Sequence, residues 1–106
     1  MTETYTTGTW TPTPEAVDAF VEAWTEFAAW ASTMPGAGTL RLVRDTREPG
    51  RYVSFGDWAD LDAVRSWKSS AEFRERMARV LQHVTDFQPS ELALVASARH
   101  GTAITA

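Results

Sequence analysis

Hydrophobic and polar positions follow two rhythms in this chain, one of period two and one close to 3.6 residues. Residues 4–11 (Thr-Tyr-Thr-Thr-Gly-Thr-Trp-Thr) are β-branched and aromatic, a composition that suits a pleated strand. Thr13-Pro14-Glu15 then predicts a helix start, with a threonine N-cap, proline in the first helical position and an acid in the first turn. Val17, Phe20, Val21, Trp24, Phe27, Ala28 and Ala31 recur at helical spacing, while Asp18, Glu22, Thr25 and Glu26 take the opposite side. Pro35-Gly36-Ala37-Gly38 cannot continue that helix, which is expected to end near Thr33.

Residues 39–45 and 51–58 predict two strands of a hairpin closed by the five-residue turn 46–50. Asp60 can cap a short helix running through Trp67, and Ser69 with Glu72 has the spacing of a capping box that opens another. Phe73, Met77, Val80, Leu81, Val84 and Phe87 form the apolar stripe expected of that helix, with Arg74, Arg76 and Arg79 outward and Pro89 as the stop. Residues 91–98 predict the last strand, and residues 100–106 a loose C-terminal tail beyond a domain of residues 1–99. The order is β-α-β-β-α-β, an α+β ferredoxin-like fold with a four-stranded antiparallel sheet and helices on one face only. In the last strand Leu92 and Leu94 alternate with Ala93 and Val95, so both sheet faces are apolar there. An uncovered apolar face marks an interface, and the expectation is a homodimer whose sheets face each other.

Composition narrows the partners. A chain of 106 residues, 43% hydrophobic and 23% charged, is of single-domain size. Its net charge of -4 and dispersed arginines offer no electrostatic footprint for nucleic acid or an anionic membrane surface. The absence of cysteine excludes disulfides, thiolate metal sites and cysteine nucleophiles. No basic-then-apolar leader is visible and no apolar run approaches the ~20 residues that span a bilayer, so a cytoplasmic location is expected. Two distant histidines, His83 and His100, make no metal site, and no nucleophile elbow is present.

The segments around the two most prominent indoles carry a resemblance. Pro35-Gly36 before the second strand, Val53-Ser-Phe-Gly-Asp-Trp58, the acidic start Asp60-Leu-Asp-Ala, and Trp67-Lys-Ser-Ser-Ala-Glu-Phe73 together resemble the antibiotic biosynthesis monooxygenase family, over roughly residues 4–98. The resemblance implies a dimeric α/β barrel. It also implies oxidation of an aromatic, polyketide-like substrate such as an anthrone to a quinone by O₂, with no metal, flavin or other cofactor. In such enzymes an electron-rich phenolate or carbanion passes an electron directly to O₂. The protein then binds the rings in a dry pocket, assists proton removal and stabilises the developing charge. The family's asparagine four residues before the strand-end tryptophan falls on Ser54, and its tyrosine six residues after falls on Val64; the chain contains no asparagine. In a haem-degrading branch of the same superfamily, the spacing of Trp67 and Phe73 is matched but the haem-ligating histidine falls on Met77.

Each candidate residue has a packing role beside the functional one. Trp24, Phe27, Phe73 and Met77 sit on helical stripes and belong to a core by default; with Trp58 and Trp67 they would line a substrate pocket between helices and sheet. Ser54 either fits a tight place on the sheet or meets a ligand. His83 is the one histidine inside the expected fold, and so the side chain able to act as a base near neutral pH; with Ser54 it forms the candidate catalytic pair. Two function classes stay open: a cofactor-independent monooxygenase, and a non-catalytic dimeric small-molecule-binding or stress-related protein. Haem handling is third. A closed, solid core around Trp67 with no cavity would favour the non-catalytic reading, whereas a cavity of at least ~300 Å³ reaching Ser54 or His83 would favour an enzyme or ligand binder.

Overall fold

The structure is a computed structural model that describes residues 3–105. A four-stranded antiparallel sheet in the order β2-β3-β1-β4 is built from β1 (Thr4–Pro12), β2 (Ala37–Arg44), β3 (Tyr52–Trp58) and β4 (Val84–Ala93). Helices α1 (Val17–Ala31), α2 (Leu61–Lys68) and α3 (Ala71–Leu81) connect these strands and cover one face, which is the ferredoxin-like α+β fold. β1 lies between β3 and β4, and its register sets which side chains share the helix-facing side. Gly8 is opposite both Ser54 and Pro89, Thr6 opposite Gly56 and Glu91, and Trp10 opposite Tyr52 and Phe87. The strict alternation of buried and half-exposed residues through Trp10 follows from the side-chain period of two in a sheet covered on one face.

The core between sheet and helices is aromatic. Trp10, Phe20, Trp24, Phe27, Tyr52, Trp58 and Trp67 are all buried, with Val64 and Val80 between them. Trp10 stacks on Phe87 at 3.9 Å between ring centroids, and Trp58 on Trp67 at 4.6 Å. Gly8 is required in β1 because an added Cβ would lie 2.7 Å from the Phe87 ring and 3.1 Å from Ser54 Oγ. The helix starts are mixed. Asp60 caps α2 by accepting from Ala63 N–H at 2.8 Å, as its position predicts. Thr13 makes no side-chain cap; Pro14–Ala16 form a single 3₁₀ turn before α1 instead. The cap of α3 is Ser70, one residue past the expected Ser69, and its Oγ accepts from Phe73 N–H at 3.1 Å.

The C-terminal third departs furthest from the sequence reading. α3 ends at Leu81, and β4 begins at Val84 rather than at residue 91, so Val84 and Phe87 are strand residues and not the end of a helical stripe. Three residues apart, Val84 and Phe87 have helical spacing and would face opposite sides of a regular strand; a register shift between Thr11 and Pro12 lets both pack against the core. The free edge of β1 decides for the strand, because Val84 to Ala93 pair along its whole length. Pro89 therefore stops no helix; it lies inside β4, at the edge of the sheet, where a missing N–H is tolerated. Nor do the last residues form a loose tail. β5 (Ala96–Arg99) and β6 (Thr102–Thr105) make a separate exposed hairpin whose turn residues, His100 at φ 52° and Gly101 at φ 84°, are both left-handed as a type I′ turn requires.

The sheet face away from the helices carries Tyr5, Thr7 and Thr9 of β1, Phe55 of β3, and Leu92 of β4, with Arg41 of β2 opposite Phe55. Phe55 is 36% and Leu92 50% exposed. No helix among the described residues is long and apolar enough to cross a membrane.

Candidate functional site

A cavity of about 240 Å³ lies between the sheet and the helices. Its floor is the middle of the sheet, with Thr6 and Trp10 of β1, Ser54 and Gly56 of β3, Leu40 of β2, and Phe87 and Pro89 of β4. Trp24 and Phe27 of α1 and Phe73 and Met77 of α3 form the walls, and Trp67 with Lys68 closes the end of α2. The helices spread here because large rings hold them apart. Phe27 packs against both Trp67 and Phe73 at 5.7 and 5.8 Å, and Phe73 stands perpendicular to Trp67 at 4.8 Å. These rigid rings, two of the contacts edge to face and one tilted, frame the cavity.

The lining has few polar groups, and each has a defined state. Trp10 Nε1–H donates to Ser54 Oγ at 2.9 Å. That bond uses one lone pair of the hydroxyl and leaves its O–H as a donor, strengthened by the bond it receives. Thr6 Oγ1 accepts from Trp58 Nε1–H at 3.1 Å, so the strand-end indole is committed to the sheet. Trp67, 5% exposed, is different: its Nε1–H is buried and has no hydrogen-bond partner. Lys68, at the cavity's rim, holds Glu91 of β4 at 3.1 Å. It is the one charged residue in the lining.

Of the residues singled out from sequence, the fold brings Ser54, Trp24, Phe27, Trp67, Phe73 and Met77 around this one cavity. Trp58 lies behind Trp67, 1% exposed and stacked on it, and does not line the space. His83 is in the turn between α3 and β4, away from the lining; its carbonyl accepts from Thr13 N–H at 2.9 Å. Sequence reasoning missed Thr6, Trp10, Leu40, Phe87 and Lys68. The first four depend on strand register. Lys68 carried a signal of its own, as the sole lysine in a chain with nine arginines, placed directly after Trp67. Among the described residues no group of three or more His, Cys, Asp or Glu side chains could hold a metal ion.

The sequence profile of antibiotic biosynthesis monooxygenases matches residues 5–79. The chain belongs to the antibiotic biosynthesis monooxygenase family. Solved structures extend the likeness over nearly the whole chain. SnoaB from Streptomyces nogalater, described as a cofactor-independent oxygenase, superposes with a TM-score of 0.78 at 21% identity, covering 94% of this chain and 96% of SnoaB. Rv0793 from Mycobacterium tuberculosis gives a TM-score of 0.78 at 17% identity, covering 92% and 99%. A conserved protein from Methanosarcina mazei Go1 gives 0.77 at 13% identity, covering 86% and 91%. At these identities the likeness defines the fold. No curated protein sequence matches the chain.

Proposed function

We propose that this protein is a homodimer that oxidises a small electron-rich aromatic molecule with O₂, without metal or flavin, inside the cavity between sheet and helices. The observation that carries the reading is the cavity's chemistry and not its size, which at about 240 Å³ falls short of the ~300 Å³ expected of such a site: an aromatic-walled space within a monooxygenase-family fold, with a hydroxyl donor on its floor at Ser54. In this reading an activated ring CH₂ group and O₂ become a ring carbonyl and water. The ionised substrate gives an electron to O₂, and the Ser54 O–H donates to the oxygen on which negative charge resides. Excluding water strengthens that bond and protects the radical pair from side reactions. The lining contains neither carboxylate nor imidazole, so the substrate must ionise readily by its own acidity.

A second reading has its own support. Ser54 already serves Trp10 and no lining residue is a ready base, so the cavity suits retention of an aromatic ligand without chemistry. O₂ uptake separates the two. Purified metal-free protein is incubated with 1,3-indandione, a two-ring compound with an activated ring CH₂ group, and, separately, with a naphthohydroquinone, and oxygen consumption is compared with buffer and with the Ser54→Ala variant. Turnover above buffer that falls in Ser54→Ala supports the monooxygenase. Ligand-induced quenching of tryptophan fluorescence with oxygen uptake no faster than buffer supports the binding protein.

The homodimer rests on the uncovered sheet face. Phe55→Asp and Leu92→Asp place a charge among Tyr5, Val43 and their copies on a partner sheet. In sedimentation equilibrium the parent should run as a dimer and the double variant as a folded monomer; a parent that stays monomeric at millimolar concentration would remove this part of the reading.

A further inference from the structure

The cavity has polar groups at two ends, and their separation is set by strand register. Ser54 on β3 and Glu91 on β4 lie two strands apart and one residue pair along, since Gly8 is opposite Ser54 and Thr6 opposite Glu91. With strands about 4.8 Å apart and about 3.4 Å rise per residue, their Cα atoms are roughly 12 Å apart. Glu91 is outside the cavity lining and holds the Lys68 ammonium at 3.1 Å, while Lys68 and Ser54 both line the same apolar space. The volume limits what fits between them. A cavity of about 150 Å³ holds a single benzene ring, and about 240 Å³ holds one or two fused rings, not three or four.

Lys68 is also poorly explained as a surface charge. Its side chain is only 26% exposed, and Glu91 is its one ion-pair partner among the described residues. An ammonium has three hydrogens to donate, and a single carboxylate contact leaves capacity for another anionic oxygen.

Building on the aromatic-ligand reading of the cavity, we propose that Lys68, positioned by Glu91, anchors the ionised oxygen of a one- or two-ring aromatic ligand, a phenolate or a carboxylate, whose far end reaches Ser54. Glu91 competes with the ligand for the ammonium and keeps Lys68 at the rim when the site is empty. Three probes test this by fluorescence titration of the full chain: 2-naphthoate, the neutral 2-naphthalenemethanol, and 4-nitrophenol slightly below its pKa. The parent should bind naphthoate about tenfold more tightly than the neutral alcohol, the scale of one charge-assisted hydrogen bond. Lys68→Met should erase that preference and leave the alcohol's affinity unchanged, Lys68→Arg should keep it, and Glu91→Gln should tighten naphthoate binding. A purely structural ion pair predicts the opposite for Glu91→Gln. A rise in nitrophenolate absorbance on binding assigns the site to phenolates, and naphthoate binding alone assigns it to carboxylates; either supports the anchor.

Equal affinity for naphthoate and the alcohol in the parent with no rise in nitrophenolate absorbance, or a preference that survives Lys68→Met, overturns the anchor and leaves the aromatic cavity standing. If Lys68→Met loses both ligands, loss of the preference in Lys68→Arg as well overturns it, and retention supports it. Failure of the parent to bind any probe removes the cavity reading and the anchor with it.

Discussion

Trp58 and Trp67 are stacked indoles of nearly equal burial, yet the structure predicts opposite consequences for cutting each to phenylalanine. The truncation removes about 40 Å² of apolar surface and about 40 Å³ of volume, costing about 1 kcal/mol in transfer free energy and about 1 kcal/mol for the space left behind. At Trp58 it also breaks the bond to Thr6 Oγ1 and strands a buried hydroxyl, adding about 1 kcal/mol. At Trp67 it removes a buried N–H that has no partner, and relief of that penalty returns about 1–3 kcal/mol. Trp58→Phe should therefore destabilise by about 3 kcal/mol, and Trp67→Phe should be near neutral. Urea unfolding followed by far-UV circular dichroism at one fixed protein concentration measures both, the concentration being held because dissociation of the proposed homodimer would move the midpoint. If the two variants fall within about 1 kcal/mol of each other, the Trp67 N–H is satisfied and the reasoning fails. In the ligand-binding reading, Trp67→Phe loses nothing in stability but removes a donor beside the cavity, so stability and affinity separate there.

Two further outcomes follow from the loops. Gly36 has φ +84°, and an added methyl would lie 2.7 Å from Ala63 Cβ, so Gly36→Ala should cost about 2 kcal/mol or more; Gly50, with open space around it, should accept alanine at no cost in the same urea assay. In the hairpin turn, the Arg47 and Glu48 N–H groups, 2.8 and 3.0 Å from Asp45 Oδ1, with Arg51 beside it, hold the Asp45 carboxyl below the usual range. The unfolded chain then binds the proton first as pH falls, so the turn's contribution is complete above the ordinary aspartate value and is lost through the depressed one. Urea midpoints taken from about pH 5 down to about pH 2 should fall less steeply in Asp45→Asn than in the parent; parallel curves would show that the turn has no part in acid unfolding.

How much of this was legible beforehand varied with the range of the interactions. Local chemistry announced itself: Asp60 caps α2, the α1 stripe from Phe20 to Ala31 faces the core, and Gly36 closes a turn only glycine enters easily. Residues 82–93 were not legible, because Val84 and Phe87 have helical spacing, and only pairing with the vacant edge of β1, with a register shift at Thr11 and Pro12, makes them a strand.

The amino-acid order alone determined the family and the succession of strands and helices as far as the start of α3, since periodicity, caps and turn residues act within a few positions. Tertiary structure decided the site. Ser54 acquired a chemical state only when register put Trp10 beside it, and Lys68 joined the cavity only when the end of α2 packed over the sheet. It also separated the two indoles, giving Trp58 an acceptor 52 residues away and leaving Trp67 without one. Contacts between residues so distant in sequence depend on how the sheet pairs and how far large rings hold the helices from it, and no local pattern encodes either.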